Sequence, residues 1–260
     1  MPTFEVPGAE LAVALSDEGG HPVVQLHGLT SSRARDRVLN LDLGRGLSGT
    51  RLLRYDARGH GKSTGRKVPE DYQWSNLAED LLRLLDQWFP DERVHGVGPS
   101  MGTGTLLHAA AREPDRFSGL TLMVPATAWD TRPAQAANYR AAATLIETAG
   151  VDAFLASARA GTIPPATVGG TETVPDVPDA LLPSLFRGAA LSDLPPHEHI
   201  ARIAVPTSIL AWIDDPGHPL STAKTLAALI PEATLTVART PADVEIWPTI
   251  LSRDVARRAD

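Results

Sequence analysis

The sequence contains no cysteine among its 260 residues, and this absence excludes several kinds of site. Without thiols the chain has no disulfide framework, no thiolate metal ligand and no cysteine nucleophile. Basic residues are in the minority, with 24 Lys and Arg against 31 Asp and Glu and a net charge of -7. Nucleic-acid binding requires a basic surface, so we expect no nucleic-acid partner.

Long apolar runs are also missing from the sequence. We find no stretch of about 18 consecutive apolar residues, which is the length needed to cross a bilayer. The amino end, Met-Pro-Thr-Phe-Glu-Val, lacks the charged leader and apolar stretch of a secretory signal. We therefore expect a cytoplasmic protein with no membrane association.

Seven short apolar runs alternate with longer segments of helical periodicity. This alternation predicts an α/β fold in which helices flank a mostly parallel central sheet. The predicted strands are residues 10–16, 21–26, 50–55, 93–97, 119–124, 207–213 and 233–238. The predicted helices of this sheet domain are residues 70–89, 101–112 and 221–230.

The pattern changes between residues 128 and 196, where alanine-rich helical stretches at 135–148 and 151–160 are followed by many glycines and prolines. A strandless segment of this length is too long for an ordinary connection, so we interpret it as a helical cap. A disordered linker is the alternative, but Leu181, Leu182, Leu185 and Phe186 offer apolar surface to bury. The predicted domains are a core at 1–127, a cap at 128–196 and the rest of the core at 197–260.

The most informative short motif is Gly98-Pro99-Ser100-Met101-Gly102. It follows one predicted strand directly and precedes a predicted helix directly, which is the context of a nucleophile elbow. Small flanking residues let the two arms of such a turn approach each other, and the serine hydroxyl projects above the sheet edge. Ser100 is therefore the candidate nucleophile, although a serine in a glycine-bounded turn can also be structural.

A second motif, Leu26-His27-Gly28-Leu29-Thr30, ends another predicted strand. The amide of Met101 lies at a helix start and is unpaired. A turn such as this one can direct the amide of Leu29 toward the same position, and two donors that converge on one substrate oxygen form an oxyanion hole. His27 either fixes the turn through its ring nitrogens or lines the oxyanion side as a substrate-binding residue.

A third motif, Asp56-Ala57-Arg58-Gly59-His60-Gly61-Lys62-Ser63, also follows a predicted strand. In this order the three motifs resemble the α/β-hydrolase superfamily, in which they follow strands three, four and five. The resemblance covers nearly the whole chain and implies an α/β-hydrolase fold whose helical cap follows the sixth strand. It implies that the third motif fixes a loop, so Asp56 and His60 are not expected to be catalytic.

The same resemblance implies a catalytic acid after the seventh strand, where the sequence is Asp214-Asp215-Pro216-Gly217-His218-Pro219. Asp215 matches the family form Asp-x-x-x-Pro best, and Asp214 is the fallback. A buried carboxylate there would orient a histidine and stabilise its protonated form. Both aspartates could instead only cap the turn before the next helix.

The family's histidine belongs after the last strand, but no histidine follows His218 in this chain. Residues 239–247 form a short connection that already resembles a helix start. His218 is the first candidate for the base, because a loop rearrangement could turn it toward Ser100. The other candidates are His27, beside the elbow strand, and His197 and His199, at the end of the cap.

These residues predict a serine hydrolase that acts on a small acyl compound, namely an ester, a thioester or a lactone. Ser100, His218 and Asp215 would be catalytic, and the amides of Leu29 and Met101 would form the oxyanion hole. No metal or cofactor is expected, and the partner is a small-molecule substrate. The alternative is a catalytically weakened or non-hydrolytic member of the same fold that binds a small molecule.

Overall fold

A sheet of eight strands forms the centre of the computed structural model, which describes residues 2–257. The strand order is β1-β2-β4-β3-β5-β6-β7-β8, with β1 and β2 antiparallel and β3 to β8 parallel. The predicted α/β class with a mostly parallel sheet is confirmed. The strands are β1 (Thr3–Val6), β2 (Ala9–Asp17), β3 (Pro22–Gln25), β4 (Arg51–Tyr55), β5 (Val94–Pro99), β6 (Phe117–Met123), β7 (Thr207–Trp212) and β8 (Ala233–Ala238).

Strand β1 is absent from our sequence prediction. It is a four-residue edge strand in which only Val6 is buried, and its alternation of Thr3, Phe4, Glu5 and Val6 is too short to identify a strand with certainty. It is held by antiparallel pairing with β2, in which Thr3 lies opposite Ala12. This pairing is a tertiary contact, which a local sequence pattern does not report.

The helices are α1 (Arg33–Val38), α2 (Trp74–Trp88), α3 (Met101–Arg112), α4 (Arg132–Arg159), α5 (Leu182–Ala190), α6 (His197–Ile200), α7 (Leu220–Leu229), α8 (Pro241–Val244) and α9 (Trp247–Ala256). The three helices predicted for the sheet domain correspond to α2, α3 and α7, whereas α1, α5, α6, α8 and α9 are not among the predicted helices. The predicted helix at 70–89 is wrong in its first turn, because Gln73 is extended and separates a short 3-10 turn from the helix proper.

Apolar side chains bury both faces of the sheet. On one face, Leu77 and Leu81 of α2 and Leu106 of α3 belong to the larger core cluster. On the other face, Trp247 and Leu251 of α9 pack in a second cluster. Both faces of a parallel sheet must be covered, so this arrangement holds the parallel strands rigidly between two helical layers.

The segment between β6 and β7 contains helices and no strand within the described residues. Helix α4 is interrupted at Gly150, which has φ 84° and ψ 171°, between the two helical stretches that we predict there. Buried Leu182, Leu185 and Phe186 belong to a third apolar cluster, called the cap cluster below, which also contains Tyr72 from outside this segment. The domain division at residues 128 and 196 stays a prediction.

One helical stretch of 31 residues, Trp129–Arg159, is long and apolar enough to cross a membrane when length and composition alone are considered. It belongs to the cap and includes the interruption at Gly150. A single helix of this kind is weak evidence for a membrane span. The predicted absence of membrane association and the predicted cytoplasmic location therefore stay predictions.

Candidate active site

Ser100 occupies a strained corner between β5 and α3. Its φ of 51° and ψ of -108° lie outside the usual regions for a residue with a side chain. A Cβ atom on Gly102 would lie 3.0 Å from Leu26 Cβ and 3.1 Å from the carbonyl oxygen of His27. A glycine is needed there because the helix passes this close to the neighbouring strand end, and the corner holds the serine at the carboxyl edge of the sheet.

Hydrogen bonds hold this corner in place. The amide of Ser100 donates to the carbonyl of Met123 at 2.9 Å. The hydroxyl of Thr103, one turn into α3, donates to the carbonyls of Gly98 at 2.8 Å and Met123 at 3.0 Å. The strained backbone is therefore fixed by buried contacts to β5 and β6.

His218 lies beside Ser100, on the loop between β7 and α7. Its Nε2 is 2.9 Å from the Ser100 hydroxyl oxygen, and its Nδ1 is 2.8 Å from Oδ2 of Asp215. A carboxylate only accepts, so Nδ1 carries the proton and Nε2 accepts from the hydroxyl. The structure thus brings the three predicted catalytic residues into one hydrogen-bonded row.

The Asp215 carboxylate accepts from several donors. Trp212 Nε1 donates to Oδ2 at 2.7 Å, and the amide of Gly217 donates to Oδ1 at 2.8 Å. Burial alone would raise the pKa of Asp215, but the hydrogen bond and charge of His218, with the Trp212 and Gly217 donors, lower this pKa to about 2. Asp215 is therefore ionised throughout the neutral range.

Asp214, the fallback acid, has a different environment. It is exposed, and its φ of 56° turns the chain so that the next residue faces inward. Its carboxylate makes no hydrogen bond to His218 among residues 2–257, whereas that of Asp215 does. Between the two aspartates, only Asp215 has the position of an acid that orients His218.

The turn that carries Leu29 approaches Ser100 closely. A Cβ atom added to Gly28 would lie 3.9 Å from Ser100 Cβ, and the Ser31 amide closes the turn by donating to the Gly28 carbonyl at 3.1 Å. Within the described part of the chain, neither the Leu29 amide nor the Met101 amide donates a hydrogen bond to another group. Both amides remain available for an incoming oxygen.

The His27 ring is bonded to the backbone through both of its nitrogens. Its Nδ1 donates to the Gly28 carbonyl at 2.8 Å, and its Nε2 accepts from the Ala57 amide at 2.9 Å. The ring is 3% exposed, and burial lowers its pKa, which favours the neutral form. These bonds tie the turn of His27 to the chain after β4, which favours the structural alternative, and the substrate-binding role stays a prediction.

The remaining histidines do not reach Ser100. His60 is buried against the His27 ring, with its Nδ1 2.9 Å from the Arg58 carbonyl, and burial lowers its pKa to about 3. His197 and His199 are exposed on α6, where His197 packs against Trp129 at 4.3 Å between ring centroids. Among the described histidines, only His218 hydrogen-bonds to the Ser100 hydroxyl.

The third motif fixes a loop. Asp56 accepts from the amide and the guanidinium of Arg33, each at 3.0 Å, and from the Lys62 amide at 3.1 Å. The guanidinium of Arg58 pairs with Asp80 at 2.6 Å, and both side chains are buried. These contacts hold the chain after β4 next to the turn that carries His27.

Sequence reasoning misses one buried acidic residue, Asp36, which contacts the turn that carries Leu29. Asp36 is 1% exposed, and its Oδ1 accepts from the hydroxyl of Ser31, the residue whose amide closes the Leu29 turn. Its Oδ2 is buried without a partner among the described residues. Burial raises the pKa of Asp36 to about 7, nearby Asp42 adds to that increase, and the Ser31, Arg35 and Gly28 groups oppose it.

Asparagine at position 36 is expected to change how stability depends on pH. Because the folded-state pKa is about 7 and the unfolded value about 3.8, the folded chain holds the extra proton between these values. The free energy of unfolding of the parent therefore falls as the pH rises from about 3.8 to about 7. Asp36→Asn has no carboxyl group to ionise, so its free energy of unfolding does not fall for this reason. From pH 5 to pH 8 the free energy of unfolding of the variant should gain about 3 kcal/mol relative to the parent.

Urea unfolding at the two pH values measures this difference. Asp91→Asn, at an exposed aspartate, serves as the matched control and should follow the parent. Equal pH dependence of Asp36→Asn and the parent would contradict a neutral carboxyl at position 36.

Two depressions of the surface, of about 710 and 540 Å³, lie away from Ser100. The larger is on the cap and includes Ile146, Val151 and Arg187 in its lining. The smaller lies between α1 and the cap segment that contains Val174. Neither is lined by Ser100, Asp215 or His218, so neither is the candidate site. In the described residues no group of three or more His, Asp or Glu has the arrangement of a metal site.

Comparison with known sequences identifies the family of this chain. A family model described as alpha/beta hydrolase fold matches residues 21–219. 3-Oxoadipate enol-lactonase 1 of Acinetobacter baylyi is 29% identical over 177 residues, a match that covers 64% of this chain and 62% of the relative, less than two thirds of its length. 3-Oxoadipate enol-lactonase 2 of the same organism is 28% identical over 196 residues, which cover 72% and 69%.

Comparison with solved structures gives the same fold. A hydrolase from Pseudomonas aeruginosa superimposes with a TM-score of 0.78 at 25% identity, over 99% of this chain and 97% of that one. A thermophilic esterase from Thermogutta terrifontis superimposes with a TM-score of 0.77 at 21% identity, over the same shares of the two chains. These relatives are hydrolases, and with the family match the chain belongs to the alpha/beta hydrolase fold family.

Proposed function

We propose that this protein is a serine hydrolase that cleaves a small ester, thioester or lactone through an acyl intermediate on Ser100. The observation that carries the proposal is the row of hydrogen bonds from Ser100 to His218 at 2.9 Å and from His218 to Asp215 at 2.8 Å. A nucleophile, a base and a group that orients the base, each within hydrogen-bond distance of the next, are the arrangement that activates a serine hydroxyl.

The reaction would proceed in two stages. Nε2 of His218 removes the hydroxyl proton as Oγ of Ser100 attacks the carbonyl carbon, and the same proton passes to the leaving oxygen or sulfur when the acyl bond breaks. Water then attacks the acyl group, gives a proton to Nε2, and releases the acid when that proton returns to Oγ. Asp215 stays ionised and stabilises the imidazolium in both stages.

The amides of Leu29 and Met101 would stabilise the negative charge on the carbonyl oxygen. One lies on the turn after β3, which approaches Ser100 closely at Gly28, and the other directly follows Ser100 at the start of α3. Oriented donors of this kind act on charge that develops only in the transition state. Removal of one such donor typically lowers kcat by about 10²- to 10³-fold.

The substrate's apolar part would lie toward the cap. The Leu29 side chain packs against both the core cluster and the cap cluster, so the cap lies next to the oxyanion turn. Three aromatic rings join in the same cap cluster, with Phe186 between Tyr139 at 5.9 Å and Phe154 at 5.2 Å. These contacts favour an acyl or alcohol group without charge.

The geometry also favours a base on a different loop from the family's usual one. The connection after β8 is short, because Thr240 begins α8 with a capping box that includes Asp243. His218 instead follows Asp215 by three positions on the loop after β7. Acid and base would then be supplied by one loop.

A fluorophosphonate probe tests the proposal, because it reacts covalently only with an activated serine. We expect one label per chain on Ser100, located by peptide mass spectrometry, and no label in Ser100→Ala. Ser157→Ala removes an exposed serine and should label like the parent. A folded protein that takes no label, or a label that persists in Ser100→Ala, would favour a binding protein of the same fold.

A further inference from the structure

Trp212 contacts the proposed triad at Asp215 and His218. It is the last residue of β7, it is 7% exposed, and its Nε1 donates to Oδ2 of Asp215 at 2.7 Å. The same oxygen accepts from Nδ1 of His218 at 2.8 Å. The indole and the imidazole therefore hold one carboxylate oxygen from two sides.

The other oxygen of Asp215 is held by the loop itself. The amide of Gly217 donates to Oδ1 at 2.8 Å, and the amide of His218 lies 3.3 Å from the same atom. These donors belong to the segment that carries His218. Among the described donors to this carboxylate, only the indole of Trp212 belongs to the sheet.

Aromatic packing fixes the indole in turn. Trp212 stacks on Trp247 of α9 with ring centroids 6.0 Å apart and an interplanar angle of 20°. It also meets the His218 ring edge to face at 6.1 Å and 86°. β7 lies inside the sheet between β6 and β8, so Trp212 stands on a rigid element.

We propose that Trp212 is a positioning residue of the Ser100–His218–Asp215 triad, whose indole N–H anchors the Asp215 loop to the sheet. This inference rests on the proposed function. It follows from the placement of acid and base three residues apart: one loop movement would displace both from Ser100, so the loop needs a contact to a fixed element. Hydrogen bonds from such supporting groups commonly change activity by about 10- to 100-fold.

Trp212→Phe tests the inference, because it removes the N–H and keeps an aromatic ring. We expect kcat for a short p-nitrophenyl ester to fall by about 10- to 100-fold, with KM changed by less than about 3-fold. The acid limb of the pH–rate profile should move to higher pH, because an Asp215 with one donor fewer stabilises the His218 imidazolium more strongly.

Trp247→Phe is the matched control. It makes the same substitution in the stacked ring, and the Trp247 Nε1 is buried without a hydrogen-bond partner among the described residues. This variant should keep kcat within about 3-fold of the parent and leave the acid limb in place. Both variants lose a similar volume from one cluster, so this part of the loss of stability should be similar, and Trp212→Phe additionally loses the hydrogen bond to Asp215.

A second variant separates the N–H from the shape of the ring. Incorporation of 3-benzothienylalanine at position 212 keeps the fused ring and replaces the N–H with sulfur. It should reproduce the loss of kcat and the shifted acid limb with a smaller loss of stability than Trp212→Phe, because the volume of the ring is kept. Parent-like kcat and pH profile in this variant, or equal effects of the two phenylalanine substitutions, would overturn the role of Trp212. Those results would leave Ser100 labelling in the parent intact, whereas failure of the proposed function would abolish it.

Discussion

Alanine in place of His218 is expected to lower kcat for a short p-nitrophenyl ester by about 10⁶-fold, leaving about 10³- to 10⁴-fold acceleration over water. Nε2 of His218 is the proton acceptor 2.9 Å from the Ser100 hydroxyl, and without it the hydroxyl is a weak nucleophile. The residual rate would come from the Leu29 and Met101 amides and from substrate binding. KM should change little, because His218 acts on the transition state.

Three companion variants make this result specific. His199→Ala removes an exposed histidine of α6 and should retain the parent rate within about 2-fold. Ser100→Ala and the double variant Ser100→Ala/His218→Ala should each be about as slow as His218→Ala, since residues that act as one unit are not additive. If kcat of His218→Ala were within tenfold of the parent value, another group would have to be the base.

Local sequence rules were sufficient for the elbow and its surroundings. Gly98 and Gly102 allow the tight corner, and a strand before Ser100 and a helix after it are visible in short apolar patterns. The α/β class follows from the alternation of such patterns, and the comparisons confirm it. These features depend on neighbouring residues, so a sequence pattern records them.

The position of His218 depends on contacts that the sequence does not record. The left-handed backbone of Asp214 reverses the loop, and the Thr127 amide holds it by donating to the Gly217 carbonyl at 3.1 Å. Thr127 follows β6, far away along the chain, so the motif after β7 identifies a candidate base without giving its distance to Ser100. The catalytic roles of Ser100, Asp215 and His218 stay predictions until the variants are measured.

Trp212 illustrates the same limit for a supporting residue. At the end of a buried strand, a tryptophan is typical of an apolar core, and its sequence position three residues before Asp215 was the available signal. Only the fold shows that the indole N–H turns toward the carboxylate while the ring stacks on Trp247. Buried aromatic residues close to a candidate acid therefore need a structure before a role can be assigned.

Asparagine in place of Asp215 is expected to lower kcat by about 10⁴-fold while the fold is retained. The Trp212 indole donates to one oxygen of Asp215 and the Gly217 amide donates to the other, so both positions need an oxygen and asparagine supplies only one. If the asparagine oxygen faces Trp212, it also faces Nδ1 of His218. If the oxygen faces Gly217 instead, the asparagine NH₂ group faces Nδ1 of His218 and forces the imidazole proton onto Nε2. In the second state Nε2 no longer accepts from Ser100.

The ionised form of Asp215 also stabilises the imidazolium, and a neutral amide does not, so either orientation of the asparagine slows the reaction. Asp214→Asn makes the same change at the adjacent, exposed aspartate and should keep kcat within about 3-fold of the parent. Circular dichroism and thermal unfolding would establish that both variants are folded before kcat is compared. A larger loss for Asp214→Asn than for Asp215→Asn would exchange their roles, whereas equal small losses would mean that His218 works without a carboxylate partner.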